Sequence, residues 1–341
     1  MKAVVYQGPR DFSIRDLSPT EPGPTDVRIS VHQTGLCGTD KHIHEGDFTA
    51  AFPLVPGHEI VGTVEVTGDR VTDVEPGQWV TVNPNMSCGS CDQCRRGRPL
   101  LCRNLRGIGS NHAGGFAEQI TVPASAVFDV EGLEPDVAVF AEPTACALHG
   151  LETLSPKPGS TALVLGAGAT GLLLAQLLAS GGVAHVTVAA PTQHQLDRAT
   201  ALGIDATVLI DRDCPEESAR KLYEHSEGGY DNVVEATGSA RIGGQCVGLT
   251  RDGGTVMVYG VTHPDDTFQI HPYDIFRREI TIKGSFAEIA SFPAAIAALR
   301  SGRVRTDGLI THRYGLDDYG RALDDFSNDN SLHKAVISPL S

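Results

Sequence analysis

The chain has 341 residues and a formal net charge of -15, from 27 Lys and Arg against 42 Asp and Glu. This excess of negative charge argues against a general nucleic-acid or anionic-membrane binder, because both partners are polyanions. With 40% hydrophobic and 20% charged residues, the composition is that of a globular protein, and the length suggests two domains. The start of the chain lacks the apolar stretch and cleavage site of a secretory signal, so we expect a cytoplasmic protein.

The first third of the chain alternates short β-rich segments with Pro-Gly pairs such as Pro56-Gly57. Strands interrupted by turn residues at this spacing predict an all-β, barrel-like domain, which we place at residues 1–152. The predicted strands are residues 2–7, 26–34, 62–66, 78–82 and 116–122.

A second feature of this third is a possible set of metal ligands. Cys37, His58 with Glu59, and Glu142 supply a thiolate, an imidazole and carboxylates, the donors of catalytic zinc ions that keep one position open for substrate. Taken singly, each residue is also explained as a buried or structural side chain.

Four of the eight cysteines lie in one short segment with the spacing C-x2-C-x2-C-x7-C, which allows four thiolates to surround one metal ion. They are Cys88, Cys91, Cys94 and Cys102. Disulfides are disfavoured because a reducing compartment would open them. An iron–sulfur cluster is the stronger alternative, but the wide last gap and the absence of proline after Cys102 argue against it. We predict a structural zinc ion that orders the polar lobe 83–107.

After residue 155 the pattern changes to apolar strands that alternate with helical segments, which predicts a doubly wound parallel sheet of the Rossmann type over residues 153–286. The predicted strands are residues 161–165, 186–189, 208–210, 232–235 and 255–259. The apolar run 172–183 resembles a membrane span in hydropathy, but glycines interrupt it and we expect no membrane partner. Residues 287–341, with a helix at 292–299 and a strand at 334–337, are expected to fold back onto the first domain.

A glycine-rich turn follows the first of these strands and reads Gly166-Ala167-Gly168-Ala169-Thr170-Gly171. A G-x-G-x-x-G between a strand and a helix predicts a dinucleotide site, because the pyrophosphate can then sit on the helix N-terminus. The second strand ends at Ala190 without the carboxylate that would bind the ribose 2′-OH of NAD, so the choice between NAD and NADP stays open. The candidate cofactor-binding residues are Gly166, Gly168, Ala169, Thr170, Gly171, Ala190, Arg198 and Thr237.

Four motifs occur in a fixed order over nearly the entire chain. They are G-x-C-G-T-D-x-H at Cys37, G-H-E-x-x-G at His58, the four-cysteine lobe and the glycine turn. This combination resembles the zinc-dependent medium-chain alcohol dehydrogenases, whose catalytic domain is GroES-like. The resemblance implies two zinc ions per chain, with Cys37 and His58 as ligands of the catalytic ion and Glu142 or Glu59 as the third. It also implies that Thr39 and His42 relay the proton of the substrate hydroxyl, with His44 as an extra candidate or a surface histidine.

Residues 141–150 and 275–286 resemble the polyol branch of this family, including sorbitol and arabinitol dehydrogenases. The implied reaction is zinc-dependent oxidation of a secondary alcohol of a polyol to the ketose, with hydride transfer to NAD(P). Where sorbitol dehydrogenases carry an Arg-Tyr pair, this chain has Ala287-Glu288, and a carboxylate there suits hydroxyl groups or an ammonium group. L-threonine 3-dehydrogenase and a simple secondary alcohol dehydrogenase therefore remain alternatives.

Two other classes of function are disfavoured by the residues themselves. Zinc-free reductases of the same superfamily lack both ligand sets, and a binding role without catalysis would be favoured only by loss of Cys37, Thr39 or His58. The resemblance also implies a homodimer or homotetramer formed through the cofactor domain, to which the strand 255–259 could contribute.

Overall fold

The computed structural model describes residues 1–339. The strands, numbered in chain order, are β1 (Lys2–Gly8), β2 (Asp11–Asp16), β3 (Asp26–Leu36), β4 (Glu59–Thr67), β5 (Trp79–Val82), β6 (Asn85–Met86), β7 (Arg106–Gly107), β8 (Gln119–Pro123), β9 (Val127–Asp129), β10 (Thr161–Leu165), β11 (His185–Ala190), β12 (Ala206–Leu209), β13 (Tyr230–Glu235), β14 (Thr250–Val258), β15 (Thr281–Gly284), β16 (Ile310–Tyr314) and β17 (Lys334–Ile337). The helices are α1 (Gly38–Glu45), α2 (Asp92–Arg95), α3 (Pro135–Ala138), α4 (Ala141–Leu154), α5 (Ala169–Ser180), α6 (Gln193–Ala201), α7 (Pro215–His225), α8 (Ala240–Leu249), α9 (Pro272–Arg278), α10 (Phe292–Arg300) and α11 (Tyr319–Asn328).

Two compact units make up the chain. Unit 1 contains residues 1–145 and 288–301 together with the chain from residue 308 onward, and unit 2 contains residues 146–287 and 302–307. The two units are compact parts of the chain and do not by themselves mark functional domains. The boundaries of the predicted domains 1–152 and 153–286 therefore stay a prediction.

Unit 1 is built on a sheet with the strand order β16-β17-β3-β4-β5-β9, and β8 also pairs with β3. Alternate residues of β3, among them Val27, Ile29 and Val31, are buried in its apolar core, as expected for a strand with one face against the core. The C-terminal strand β17 pairs antiparallel with β3, with Ala335 opposite Leu36. This pairing brings the last strand next to the residues that follow β3.

Unit 2 is a parallel sheet with the order β12-β11-β10-β13-β14-β15 and with helices between its strands. The strand order reverses between β10 and β13, the point at which doubly wound sheets bind ligands beyond the carboxyl ends of their strands. The predicted α/β class, with a β-rich first domain and a Rossmann-type parallel sheet, is thus confirmed.

Several elements lie outside the sequence-based expectation. The strands β2, β6, β7, β9, β15 and β16 are additional, and residues 302–307 belong to unit 2. The apolar run that resembled a membrane span forms α5 and its following turn, and α5 is only 12 residues long with most of its length buried. Within residues 1–339, no helix has both the length and the apolar character needed to cross a membrane.

Candidate active site and metal centres

The four-cysteine lobe brings its sulfur atoms together around one point. The Sγ of Cys91 lies 3.5 Å from that of Cys94 and 3.9 Å from that of Cys102. Tetrahedral zinc with Zn–S bonds of about 2.3 Å holds sulfur atoms roughly 3.8 Å apart, whereas a disulfide requires about 2.05 Å. With Cys88 in the same group of potential ligands, these spacings fit a zinc ion and not a pair of disulfides.

Backbone N–H groups surround the same sulfur atoms. The N–H groups of Cys88 and Asn104 each donate to the Sγ of Cys102 over 3.3 Å. Hydrogen bonds from the backbone and side chain of Ser90 lower the pKa of the Cys88 thiol to about 5. Donors of this kind stabilise thiolates, the form in which cysteine binds zinc.

The second ligand set is assembled by the pairing of β3 with β4 in unit 1. Gly35 near the end of β3 is the partner of Glu59 at the start of β4, so Cys37, two residues after Gly35, meets His58. Ligand atoms of Cys37, His58 and Glu59 all lie within 4.8 Å of one another. A thiolate, an imidazole and a carboxylate at this separation suit the three protein ligands of a catalytic zinc ion.

Asp40 supports both Cys37 and His58. It occupies the first turn of α1 and is 0% exposed; one carboxylate oxygen accepts the N–H of Cys37 over 2.9 Å, and the other lies 3.7 Å from Nδ1 of His58. Burial lowers the pKa of His58, but the charge of Asp40 and hydrogen bonding with Cys37 outweigh it and raise the pKa well above its usual value. The 3.7 Å separation is too long for a hydrogen bond, so Asp40 acts on the ring of His58 through its charge.

Lys334 forms a buried ion pair with Glu59, a contact that the sequence analysis missed. Its Nζ contacts Oε2 of Glu59, and both side chains are almost fully buried. Burial would lower the pKa of Lys334, but Glu59 and Cys37 reverse this effect and raise it. Gly35 is required beside the pair, since a Cβ at that position would overlap Oε2 of Glu59.

Two further buried carboxyl groups belong to the same unit. Glu142, in the first turn of α4, is 8% exposed, and its charge acts on both His58 and Lys334. Glu288 is 0% exposed, and burial together with repulsion from Glu142 raises its pKa to about 8.

The predicted proton-relay residues lie on α1. Thr39 Oγ1 is 3.8 Å from the sulfur of Cys37, and His42 is three residues further along the helix, so the two side chains share a face. Nδ1 of His42 lies 2.9 Å and 3.0 Å from the two carboxylate oxygens of Asp47. His44 has a different environment, because its Nδ1 is 2.8 Å from the hydroxyl of Tyr6.

The glycine turn of unit 2 has the geometry expected of a phosphate loop. Gly166 directly follows β10 and has a φ of 116°, a left-handed conformation that favours glycine. Gly168 is the N-cap of α5, and a Cβ added there would meet no atom within 4 Å, so the backbone is open to a ligand. A Cβ at Gly171 would overlap the carbonyl oxygen of Gly166. Ala169 and Thr170 form the first turn of α5, whose N–H groups suit a pyrophosphate.

The other candidate cofactor-binding residues are Ala190, Thr237 and Arg198, and only the first two lie at the carboxyl edge of the sheet. Ala190 ends β11 and Thr237 follows β13, both at the carboxyl edge of the sheet. The backbone N–H of Thr237 donates to the buried carboxylate of Glu235 over 2.7 Å. Arg198 lies in the middle of α6, and its Nη1 is buried without a hydrogen-bond partner among residues 1–339. Its contact with a cofactor stays a prediction.

Comparison with known proteins places this arrangement in a family. Residues 23–132 match the alcohol dehydrogenase GroES-like domain, and residues 169–301 match the zinc-binding dehydrogenase family. D-arabinitol dehydrogenase 1 of Uromyces fabae is 42% identical over 98% of this chain and 97% of its own length. The chain belongs to the zinc-dependent medium-chain alcohol dehydrogenases.

Two further comparisons extend the match. An L-threonine 3-dehydrogenase of Saccharopolyspora erythraea is 32% identical over 92% of this chain and 92% of its own length. A crystal structure from Sinorhizobium meliloti 1021, described as a zinc-binding dehydrogenase bound to NADP, is 35% identical with a TM-score of 0.91 over 99% of both chains. This dehydrogenase is therefore an NAD(P)-dependent, zinc-dependent oxidoreductase, as predicted.

The second and third glycines of the turn give a matched test of cofactor binding by this dehydrogenase. We expect Gly168→Ala to raise the Kd of NADH or NADPH about tenfold or more with little change in Tm, because its new methyl group meets no protein atom within 4 Å and would take the space that the glycine leaves for a pyrophosphate. Gly171→Ala instead forces the methyl group against Gly166 and should lower the free energy of unfolding by roughly 1–3 kcal/mol. Fluorescence titration and thermal denaturation measure the two effects, and equal behaviour of the two variants would contradict the assignment.

The ion pair between Lys334 and Glu59 gives a test of stability in the dehydrogenase. Lys334→Met leaves a buried carboxylate without its counter-ion, so we expect the free energy of unfolding to fall by about 3–5 kcal/mol. Adding Glu59→Gln removes the unpaired charge and should restore part of the loss. Denaturant titration of the apoprotein measures both variants, and strictly additive losses would show that the two residues are not coupled.

Proposed function

We propose that the dehydrogenase oxidises a secondary hydroxyl of a polyol, such as arabinitol or sorbitol, to the ketose. The observation that carries the proposal is the close approach of Cys37, His58 and Glu59 beside the helix that bears Thr39 and His42. The polyol class is supported by the 42% identity to a D-arabinitol dehydrogenase over nearly the full chain.

Each residue has a distinct part in this reaction. Zinc at Cys37 and His58 supplies a Lewis acid that makes the substrate hydroxyl more acidic, and NAD(P) supplies the hydride acceptor. Thr39 accepts the proton of the substrate hydroxyl and donates its own, so that the proton moves toward His42 on the same face of α1. Asp47 only accepts hydrogen bonds when ionised, so it keeps a proton on Nδ1 of His42 and leaves Nε2 able to accept one.

We propose that both Glu59 and Glu142 serve as the third zinc ligand. Either carboxylate with the thiolate of Cys37 balances the two charges of zinc, and Lys334 compensates the carboxylate that stays off the metal. Glu59→Gln and Glu142→Gln should therefore each weaken zinc binding by roughly 10–100-fold, and the double variant should lose the ion. Competition with a chromogenic chelator measures the affinities, and tight binding by the double variant would contradict the exchange.

Initial-rate assays at 340 nm test the substrate class. The panel contains D-arabinitol, sorbitol, 2-butanol and L-threonine, each with NAD and with NADP, on protein shown to hold two zinc ions per chain. Highest kcat/KM with a polyol supports the proposal. L-threonine 3-dehydrogenase is the second candidate, favoured by the relative from Saccharopolyspora erythraea and by the carboxyl group of Glu288. Activity confined to L-threonine would establish it and overturn the polyol assignment.

We further propose a cytoplasmic homo-oligomer, a homodimer or a homotetramer, that assembles through the sheet of unit 2. The strand 255–259 of the sequence-based expectation lies in β14, which is paired on both sides, whereas β15 is the edge strand. Ile282 on β15 is 38% exposed and the neighbouring Phe286 is 52% exposed, so a second copy could extend the sheet. Light scattering should show an oligomer that Ile282→Lys dissociates, and a monomeric native protein would refute the proposal.

A further inference from the structure

The last turn of α1 brings three potential metal ligands together outside the two zinc sites described above. Ligand atoms of His42, Glu45 and Asp47 all lie within 4.8 Å of one another. Nδ1 of His42 is 2.9 Å and 3.0 Å from the two carboxylate oxygens of Asp47. Zinc bonds of about 2.0–2.2 Å at tetrahedral angles hold nitrogen and oxygen ligands roughly 3.4 Å apart, so the three side chains can meet on one ion with small adjustments.

The local structure positions all three ligands from one short segment. His42 and Glu45 are three residues apart on α1 and therefore share a face of the helix. The helix is followed by Gly46, whose left-handed φ of 87° turns the chain back, and the N–H of Asp47 then donates to the carbonyl oxygen of His42 over 3.1 Å. A Cβ at Gly46 would also overlap the ring of Pro9, so glycine is required at the turn that brings Asp47 to the imidazole.

The charges at this end of α1 favour a divalent transition-metal ion. Two carboxylates share the cluster with one imidazole, and the C-terminal end of a helix adds partial negative charge. Nζ of Lys41 lies 3.9 Å from Oε1 of Glu45, but this ion pair is partly exposed and contributes little, so Glu45 can exchange it for a metal ion. One nitrogen and two carboxylate ligands suit Zn²⁺ better than Mg²⁺ or Ca²⁺, which prefer oxygen ligands alone.

We propose that His42, Glu45 and Asp47 bind a third Zn²⁺ ion, which inhibits the dehydrogenase by blocking its proton relay. The inhibition rests on the proposed function, because it acts on the step assigned to His42. Without the ion, Asp47 keeps the proton of the imidazole on Nδ1, and Nε2 can accept a proton. An ion at Nδ1 moves that proton to Nε2, so the ring keeps its one proton but has no free nitrogen to receive another from Thr39.

Titration of dialysed protein that holds two zinc ions per chain tests the site without a turnover assay. We expect isothermal titration calorimetry to show one further Zn²⁺ ion per chain, and the same concentrations of ZnCl₂ should inhibit oxidation of D-arabinitol. Glu45→Gln removes one ligand and should raise the Kd of this ion and the inhibitory concentration about tenfold or more, with kcat/KM unchanged when no zinc is added. Lys41→Met removes the competing ammonium group and should lower the Kd, whereas MgCl₂ should not inhibit.

Glu224→Gln is the matched control, because Glu224 pairs with Arg220 four residues earlier on α7 as Glu45 pairs with Lys41 on α1. It removes the same charge and should keep the native Kd and the native inhibition. Binding of only two ions by native protein, or equal Kd values in native protein and Glu45→Gln, would overturn the site. A third ion that leaves turnover unchanged would overturn the inhibition and with it the relay role of His42. If native protein oxidises 2-butanol but no polyol, the proposed substrate class fails, and the inhibition is then measured with 2-butanol.

Discussion

Replacing Cys37 with serine is expected to reduce the zinc content from two ions per chain to one and to lower kcat/KM by roughly a thousandfold or more. The thiolate is one of three ligand groups that lie within 4.8 Å of each other, and a serine hydroxyl stays protonated and binds zinc weakly. Lewis-acid activation contributes several kcal/mol to the stabilisation of the transition state, and this contribution leaves with the ion. Atomic emission analysis of dialysed protein and initial-rate assays measure the two effects.

Cys214→Ser is the matched control for this experiment. Cys214 precedes α7 in unit 2, is exposed, and is not among the grouped potential metal ligands of residues 1–339. The control should keep both zinc ions and full turnover. Full turnover of the Cys37→Ser variant would overturn the assignment of the catalytic metal, whatever the zinc content of the control.

The features that the sequence predicted most accurately each lie within one short segment of the chain. The glycine turn and the four-cysteine lobe each lie within one short segment, so their spacing alone limits how the side chains can meet. The strand before the turn, Thr161–Leu165, and the last strand, Lys334–Ile337, have the predicted bounds, since each is an apolar run bordered by turn residues. The short and mostly exposed strand β15 escaped prediction because it lacks that apolar pattern.

Contacts between segments that are far apart in the sequence could not be predicted from these local patterns. The pairing of β17 with β3 places Lys334 against Glu59, and nothing in the pattern around Lys334 distinguishes it from a surface lysine. Asp40 belongs to the motif that identified Cys37, but its contact with His58 depends on the register of β3 with β4. Asp47 could have been considered as a partner of His42 from its spacing of five residues, since it follows the end of α1. The sequence was therefore sufficient to predict a set of metal ligands, while the groups that set the charge balance around them required the fold.

The zinc ion of the four-cysteine lobe should determine the stability of the lobe, whereas the zinc ion at Cys37 should determine turnover. Cys102→Ser is expected to reduce the zinc content from two ions per chain to one and to unfold the lobe 83–107 locally, because this segment contains only short elements and little apolar core. Arg95 and Arg96 are exposed within it and offer trypsin its cleavage sites once the backbone opens. Rapid cleavage between residues 95 and 98 in the variant, and slow cleavage in native protein, is the expected result.

Disorder of the lobe should also lower the stability of unit 1. The hydrogen bond from Asn83 to Ile289 connects the base of the lobe to residues 288–301 of the same unit, so loss of the lobe zinc should lower the Tm in addition to exposing the lobe. Cys37→Ser separates the two metal sites, since it removes the other ion and should leave trypsin resistance unchanged. A Cys102→Ser protein with one zinc ion, native resistance to trypsin and native Tm would show that the lobe is held by its own packing.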